Sequence, residues 1–306
     1  MISSRWLEQL EERFADRLQF NQPLAKYTSA RIGGPADVLL MAQSAADLEE
    51  IVSSLWKLEI PFLVIGGGSN MLISDAGVRE VVVLNKARKV RFDMETPSVW
   101  AESGSNFGAL ARQAGRKGLS GLEWAAGIPG TVGGAVVGNA GAHGGDTAGN
   151  LMLAEVLHHT QGRKEWSPDD LELAYRSSKL KQQPGEAVVL AASFKLSFGQ
   201  ETLIKEKMEE FLTFRKQTQP PGASMGSMFK NPPGDHAGRL IDAAGLKGTR
   251  IGDAQISDLH ANFFINHGGA RATDVYSLIR KAQQAVLDEF GIQLELEIGL
   301  IGDWKR

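Results

Sequence analysis

The sequence predicts an α+β protein that is built from two successive units. Residues 36–65 carry the pattern of a buried strand, a helix and a second strand, and further strand patterns return between residues 81 and 194. After Gly199 the chain changes to a charged helix and a shorter unit, which ends in a long amphipathic helix and a strand. Strands and helices arranged in this way favour an α+β fold with more than one domain.

Composition supports two domains and excludes several classes of function. The chain has 306 residues, and a domain averages about 150 residues. With 42% hydrophobic residues and a formal charge of −3, it has a globular composition and lacks the basic field that binds nucleic acids or acidic lipids. The absence of cysteine excludes disulfides, thiolate metal sites and cysteine nucleophiles. No apolar run is long enough for a membrane helix, and the first residues are too charged for a signal peptide. We therefore expect a cytoplasmic protein that binds neither nucleic acid nor membrane.

Helix and strand patterns alternate through the first two thirds of the chain. Apolar residues from Trp6 to Leu18 recur at helical spacing, and Asn21 ends this first helix. The predicted elements that follow are a strand over 36–42, a helix capped by Ser44 with Asp47 that ends before Pro61, strands over 62–65, 81–84 and 98–102, a helix that carries Phe107 and Leu110, and strands over 153–158 and 187–194.

The last third predicts two helices and a final strand. One helix runs from Thr202 to Lys216, and a second is capped by Thr273 and ends at Gly291. From Ile292 to Leu300 apolar and polar residues alternate, which indicates a strand with Glu295 and Glu297 on its polar face.

Glycine is the most informative residue type. The chain has 35 glycines among 306 residues, against about 7% in average usage. Nine of them fall between Gly121 and Gly145, among apolar residues that exclude a flexible linker, and three are consecutive at 66–68 directly after a strand. Bare amides in such loops suit a flat ligand and its phosphates. From the residues alone, the 66–68 loop fits a tight turn as well as a phosphate cradle, and its spacing is not that of a Rossmann fingerprint.

Seven segments, in order, resemble the UDP-N-acetylenolpyruvoylglucosamine reductase family, also called UDP-N-acetylmuramate dehydrogenases. They are Thr28–Asp37, Ile65–Asn70, Gly127–Ala135 with Asn139–Ala142, Tyr175–Lys181, Gly226–Pro232, His260–Asn266 and Leu294–Gly302. The resemblance spans roughly residues 20 to 302 and is to the shorter branch of the family, because no inserted loop that bears a tyrosine is present.

The resemblance implies an FAD-binding region of the vanillyl-alcohol-oxidase/PCMH type, followed by an α+β substrate domain. The FAD-binding region would cover residues 1–199, with lobes of about 1–85 and 86–199, and the C-terminal substrate domain would cover 200–306. The implied FAD-binding residues are Arg31, Gly33, Gly66, Gly67, Gly68, Ser69, Asn70, Gly127, Ile128, Pro129, Gly130, Thr131, Gly133, Gly134, Asn139 and Gly141.

The implied activity is an NADPH-dependent reduction in peptidoglycan precursor synthesis. Hydride passes from NADPH to FAD and then to C3 of the enolpyruvyl ether of a UDP-sugar, which gives UDP-N-acetylmuramate. Hydride addition at C3 pushes negative charge onto C2 and its carboxylate, so cationic and hydrogen-bonding groups have to face that carboxylate. Arg176 and Glu297 match the family positions for this role, and Ser227 matches the proton donor to C2.

The charge of the UDP-sugar predicts further binding residues. Its diphosphate requires compensation, so we expect Arg215, Lys230 and Asn231, with Tyr175 and the neighbouring Lys216, to bind the substrate. We also expect a monomer. No resident metal is expected, because His158, His159 and His260 lack the spacing of metal ligands.

Three alternative functions compete with the reductase. One is a related FAD-dependent oxidase of small hydroxy acids, and another is a nucleotide-binding module without catalysis. The third is a hydrolase, since Gly222–Gly226 has the Gly-x-Ser-x-Gly pattern of a nucleophile elbow. That elbow joins a strand to a helix, whereas proline-rich turns flank this segment.

Overall fold

The computed structural model describes residues 4–304. Its α-helices are α1 (Ser4–Phe14), α2 (Ala45–Lys57), α3 (Phe107–Gly115), α4 (Val132–Val137), α5 (Thr147–Asn150), α6 (Lys179–Gln182), α7 (Glu201–Thr218), α8 (Ala237–Ala243) and α9 (Ala272–Phe290). Its strands are β1 (Gln19–Pro23), β2 (Pro35–Ala42), β3 (Phe62–Ile65), β4 (Met71–Ile73), β5 (Val78–Asn85), β6 (Val90–Asp93), β7 (Ser98–Glu102), β8 (Leu119–Ser120), β9 (Gly141–Ala142), β10 (Gly145–Asp146), β11 (Leu151–His158), β12 (Gly162–Trp166), β13 (Ala187–Lys195), β14 (Ser197–Phe198), β15 (Ala223–Ser227), β16 (Arg250–Ile251), β17 (Ala254–Ile256), β18 (Phe263–Asn266) and β19 (Gly299–Ile301).

The first lobe is a four-stranded sheet with the order β1-β2-β5-β3. β2, β5 and β3 run parallel, and β1 pairs antiparallel with β2. Parallel strands covered on both faces are apolar throughout, and here α1 and α2 pack on one face while Leu24 and Ile73 belong to the cluster on the other. Ser44 caps α2 by accepting a hydrogen bond from the Asp47 amide at 3.1 Å. β3 ends at Ile65, so the sheet delivers the first glycine loop at its edge strand.

The second lobe is an antiparallel sheet with the order β12-β11-β13-β7-β6. α3 and α4 cover one face and bury a core that includes Phe107, Val136 and Phe194. Leu157 and Leu190 on the same sheet pack into the core of the first lobe. The two lobes are therefore in apolar contact along part of their length.

The C-terminal unit is a four-stranded sheet with the order β15-β18-β17-β16, covered by α8 and α9. One stripe of α9 is buried, and Gly291 ends the helix in the left-handed conformation at φ 68°. α7 leads into this unit, but its buried residues Ile204 and Met208 pack in the second-lobe core. The division of the chain at residue 199 stays a prediction.

Two predicted helix ends are wrong. α1 ends at Phe14 and a 3₁₀ turn follows over Ala15–Arg17, because the next residues pair with β2 as strand β1. The amides of Ala272 and Thr273 at the start of α9 donate to the carboxylate of Asp75 in the first lobe, at 2.7 and 2.9 Å, so Thr273 is not the N-cap. The N-cap is Arg271, whose amide donates to the Asp274 carboxylate at 2.9 Å, and the added acceptor Asp75 lies too far along the chain to leave a local sequence signal.

The predicted strand from Ile292 to Leu300 is also wrong over most of its length. Only Gly299–Ile301 forms a strand, which pairs in parallel with β4 of the first lobe. Leu294 and Ile298 are buried in the C-terminal core, so the alternation reports an extended segment with one covered face. The segment lacks a continuous sheet partner, apart from an isolated bridge between Leu296 and Phe229.

Candidate functional site

A cleft of about 980 Å³ separates the edge of the first lobe from the second lobe. Its walls come from β3 and the loop after it, from the segment that opens α4, and from β13 and α6. The predicted cofactor residues in these walls are Gly66, Gly67, Gly68, Ser69, Asn70, Gly130, Thr131, Gly133 and Gly134. Both glycine clusters thus face one cavity.

The first glycine loop, residues 66–70, presents its backbone to the cleft. Within residues 4–304, none of its backbone N–H groups donates a hydrogen bond to another residue, although Gly68 is buried. Buried backbone amides are almost always paired, so the unpaired amide of Gly68, within a run of backbone amides that have no described partner, indicates a place for an acceptor from a ligand. Gly68 adopts φ +57° against the backbone of Tyr27 and Thr28, a conformation that favours glycine.

The second glycine loop, residues 127–134, lies directly against the first. A Cβ atom on Gly67 would lie 3.0 Å from Gly130 Cα, so side chains would drive the two loops apart. Thr131 caps α4 by accepting a hydrogen bond from the Gly134 amide at 3.4 Å, and Gly133 N donates to Ser103 O at 2.8 Å. Where the two glycine loops meet, the cleft wall is therefore backbone and small side chains.

Seven predicted cofactor residues lie outside the wall of the cleft. They are Arg31, Gly33, Gly127, Ile128, Pro129, Asn139 and Gly141. The side chain of Asn139 is occupied within the protein, since it donates to Ala174 O at 3.0 Å and accepts from Ala148 N at 3.0 Å. Gly141 faces Asp146, and a Cβ there would lie 2.9 Å from the Cβ of that residue. For these two positions the structure supplies a role in loop packing, and their contact with a cofactor stays a prediction.

The C-terminal segment 297–299 contacts the first glycine loop. The Asn70 side chain donates to Glu297 O at 3.1 Å, and Gly299 N donates to Asn70 O at 3.0 Å. On the other side of the same segment, Glu297 N donates to Met228 O at 2.9 Å. Glu297 is thereby fixed between the cofactor loop and the residue that follows Ser227.

Arg176 and Glu297 form an ion pair, with Nε 2.9 Å from Oε1 and side-chain exposures of only 27% and 11%. The Nε–H group is not aligned with that oxygen, so the contact is ionic rather than a well-directed hydrogen bond. Arg176 has φ +54°, a strained backbone of the kind that clusters at functional sites. Burial raises the pKa of Glu297 despite the opposing charges of Arg176, Lys181 and Lys230.

The predicted substrate residues fall into two groups. Lys230 pairs with the exposed Glu295 at 3.1 Å, and Asn231 accepts a hydrogen bond from the Ala237 amide at 3.1 Å. Tyr175 is 61% exposed and lies beside the Arg176 guanidinium. Lys216 is exposed.

Arg215 lies apart from that group, beneath the second glycine loop. A Cβ on Gly127 would lie 3.1 Å from Arg215 Cδ. The guanidinium has no hydrogen-bond or ion-pair partner among the described residues, and burial lowers its pKa.

One charged residue at the site was missed from the sequence. Lys181 lines the cleft and donates from Nζ to Arg176 O at 2.9 Å. Its place five residues after Arg176 in the same motif was the available signal, but the surrounding lysines made the whole segment resemble a solvated surface.

Residues 4–304 lack the features of three other classes of site. No group of three or more His, Asp or Glu side chains within that range could hold a metal ion. Among its helices, none is both long and apolar enough to cross a membrane. Ser224, the centre of the nucleophile-elbow pattern, lies inside strand β15 and pairs with Ile265, so it is not on a strand-to-helix turn.

Known proteins resemble both parts of the chain. Residues 36–158 match the family model of an FAD binding domain, and residues 217–301 match that of the C-terminal domain of UDP-N-acetylenolpyruvoylglucosamine reductase. Relatives of that name include the protein of Chloroflexus aggregans, 41% identical over 95% of this chain and 100% of the relative, and that of Bacillus subtilis, 40% identical over 97% and 98%. The crystal structure of the reductase from Thermus caldophilus has a TM-score of 0.79 and 39% identity, covering 92% of this chain and 97% of that one.

Proposed function

The chain belongs to the UDP-N-acetylenolpyruvoylglucosamine reductase family, and we propose that its cleft holds FAD beside a reducing site built around Arg176 and Glu297. It is an FAD-dependent oxidoreductase that uses NADPH to convert UDP-N-acetylglucosamine enolpyruvate to UDP-N-acetylmuramate, a step of peptidoglycan precursor synthesis. The predicted fold class, a two-lobed FAD-binding region of the PCMH type with an α+β C-terminal domain, is confirmed.

The residues of the cleft fit a dinucleotide. The unpaired amides of residues 66–70 form a concave run of donors of the kind that binds phosphate oxygens. Gly130, Gly133 and Gly134 leave the adjoining part of the wall without bulky side chains, so a flat ring system can approach the backbone. Arg215 does not line the cleft, but its unpaired guanidinium under the second loop is a charge suited to a diphosphate, and its predicted role in binding the UDP-sugar remains part of this proposal.

FAD supplies this site with a group that accepts hydride from NADPH and delivers it to C3 of the enolpyruvyl ether. Arg176 would bind the substrate carboxylate, where charge accumulates after hydride addition. Glu297 holds the Arg176 guanidinium in place through the 2.9 Å ion pair. Since both side chains are mostly buried, their charges act with less screening than they would in water.

Ser227 is proposed to give the proton that C2 requires. It ends strand β15, after Gly226 at φ +79°, and Met228 next to it is hydrogen-bonded to Glu297. A serine hydroxyl is a weak acid in water, so this transfer requires a strongly basic carbon held at hydrogen-bond distance. An ordered backbone on both sides of Ser227 supports such a fixed geometry.

The substrate's diphosphate is proposed to meet Lys230 and Asn231, with Tyr175 at the exposed rim. Lys230 is held by Glu295, which is 74% exposed and therefore a weak competitor for an anion. The amide nitrogen of Asn231 donates to no described residue, while its oxygen is fixed by Ala237 N.

One observation carries the assignment of the site. Asn70 makes two hydrogen bonds to the segment 297–299, and these join the proposed cofactor loop to the Arg176–Glu297 pair. A cofactor in the cleft would thus lie next to the groups that act on the substrate.

The test is a pair of half-reactions on the purified protein. We expect a yellow flavin spectrum, either as isolated or after addition of FAD, that is bleached by NADPH. The bleached enzyme should be reoxidised rapidly by the enolpyruvyl UDP-sugar. A protein that neither contains nor takes up FAD would refute the proposal, and reoxidation only by oxygen with a small hydroxy acid as donor would favour the related oxidase.

We further propose a monomer that works in the cytoplasm on a small-molecule substrate. Size-exclusion chromatography with light scattering checks the first point. The division into an FAD-binding region over 1–199 and a substrate domain over 200–306 remains part of this proposal.

A further inference from the structure

Lys181 is a cation in the cleft without an anionic partner. Arg176 is paired with Glu297 and Lys230 with Glu295, whereas Lys181 Nζ has no described carboxylate within 4.0 Å. Its hydrogen bond goes to a neutral acceptor, Arg176 O. A half-buried ammonium without a counter-charge is destabilising, so its position indicates that an anion reaches it during function.

The backbone holds Lys181 firmly at this place. Ser178 caps the short helix α6 by accepting from Lys181 N at 3.1 Å, and its hydroxyl donates to Val137 O at 2.6 Å. Val137 belongs to α4, the helix that begins in the second glycine loop. The lysine is therefore anchored to the wall of the cleft and is not a mobile surface side chain.

Lys181 lies at the end of the cleft that adjoins the substrate groups. Lys181 Nζ lies 2.9 Å from Arg176 O, and Arg176 pairs with Glu297 at 2.9 Å. Burial and repulsion by Lys230 lower the pKa of Lys181, and Glu297 acts on it in the opposite direction. Asn70 and Gly299 line the same cavity. The reacting part of a bound cofactor belongs at the Lys181 end, because the substrate groups are there.

Hydride uptake creates an anion at that end. A hydride from NADPH carries two electrons and one proton to the neutral isoalloxazine ring, which leaves NADP⁺ and a ring with one negative charge. In the described residues, Lys181 is the cation of the cleft wall nearest to Arg176 that no carboxylate neutralises.

We propose that Lys181 is the electrostatic partner of the reduced flavin and raises its reduction potential. The inference rests on the proposed function, since it requires FAD in this cleft. It assigns Lys181 to the cofactor, and not to the substrate carboxylate, because Lys181 lines the cleft whereas Arg176 and Glu297 do not.

The experiment measures the two-electron potential of the bound flavin in the holoenzyme, against a reference dye. Lys181→Met should disfavour reduction by at least tenfold in the equilibrium constant, a drop of about 30 mV. Lys181→Arg keeps the charge and should restore most of the potential. Lys179→Met is the matched control, because Lys179 lies on the same helix but pairs with Glu172 at 3.2 Å and does not line the cleft.

A second measurement uses another variant, so that the proposal can still be tested if Lys181→Met proves unstable. Sulfite adds to N5 of the oxidised ring and also leaves a negative charge, so its dissociation constant should rise at least tenfold in Lys181→Gln. Unchanged potential and sulfite affinity in variants that bind FAD would overturn the inference while the proposed function stands. If the wild-type protein takes up no FAD, both fail. If only reoxidation by the UDP-sugar is slowed, Lys181 acts on Arg176 or the substrate, and the inference is wrong.

Discussion

Replacing Gly68 by alanine tests whether the amides of the first glycine loop hold the cofactor. At this position the backbone has φ +57°, and an added Cβ would lie 2.7 Å from Thr28 Cα and closer still to the carbonyl oxygen of Tyr27. Ordinary contact begins near 3.4 Å, so the loop has to move by most of an ångström to clear Thr28 and by more to clear the Tyr27 oxygen. Neither obstacle is a flexible side chain that could turn away.

The size of the effect follows from the hydrogen bonds that such a shift would break. Hydrogen bonds from amides to a charged acceptor contribute about 1.5–3 kcal/mol each. Loss of one or two of them weakens FAD binding by about 2–5 kcal/mol, which is roughly 30-fold to several thousand-fold in Kd. The left-handed backbone adds about 1–2 kcal/mol of strain to an alanine, and this part lowers the stability of the apoprotein as well.

The assay is a titration of the apoprotein with FAD, followed by quenching of flavin fluorescence, beside a thermal melt. Gly162→Ala is the matched control, because Gly162 has φ +70° with nothing within 4 Å of an added Cβ. That variant carries the backbone strain alone, so we expect a lower Tm and unchanged FAD affinity. If Gly68→Ala binds FAD as tightly as the control, the loop does not hold the cofactor through its amides.

Three further predictions concern the reducing site. Ser227→Ala should leave flavin reduction by NADPH intact and slow reoxidation by the substrate at least about 100-fold in stopped-flow experiments; equal slowing of both steps contradicts its role. Arg176→Ala should raise KM and lower kcat with FAD retained, and loss of the flavin would make Arg176 a cofactor ligand. Because burial raises the pKa of Glu297, the native state keeps this proton at a pH where the unfolded carboxyl, with a pKa of about 4.3, has lost it. The contribution of Glu297 to the free energy of unfolding is therefore present in full at low pH and declines as the pH rises from the unfolded pKa through the raised one. Urea denaturation of Glu297→Gln at several pH values should lack this decline.

Elements whose residues recur at a clear period could be predicted from the sequence. The strand Ser98–Glu102 has the predicted bounds, and the buried stripe of α9 from Val275 to Val286 is the predicted one. In both, the core-facing side chains repeat within the element itself. The wrong helix ends at Phe14 and Thr273 have a different origin, because their partners, β2 and Asp75, lie far along the chain.

The same distinction between local patterns and distant contacts applies to the candidate site. The loops that face the cleft could be found from glycine density and from the family resemblance, since each is a contiguous segment. The burial of Glu297 could not be predicted, because its polar neighbours suggest a solvated face, whereas its side chain is only 11% exposed. Lys181 was missed for the opposite reason: within a lysine-rich segment nothing local distinguishes the one ammonium that points at the cavity.

The position of Glu297 depends on contacts with three parts of the protein at once. Its amide is bound by Met228 in the C-terminal unit, its carbonyl oxygen by Asn70 in the first lobe, and its carboxylate by Arg176 in the second. A rotation of the C-terminal unit against the lobes would therefore break at least one of these contacts. Because the hydrogen bonds to Asn70 also fix the loop of unpaired amides, the cleft and the reducing site cannot move independently. Catalysis by this arrangement requires the three parts of the chain to be closed together.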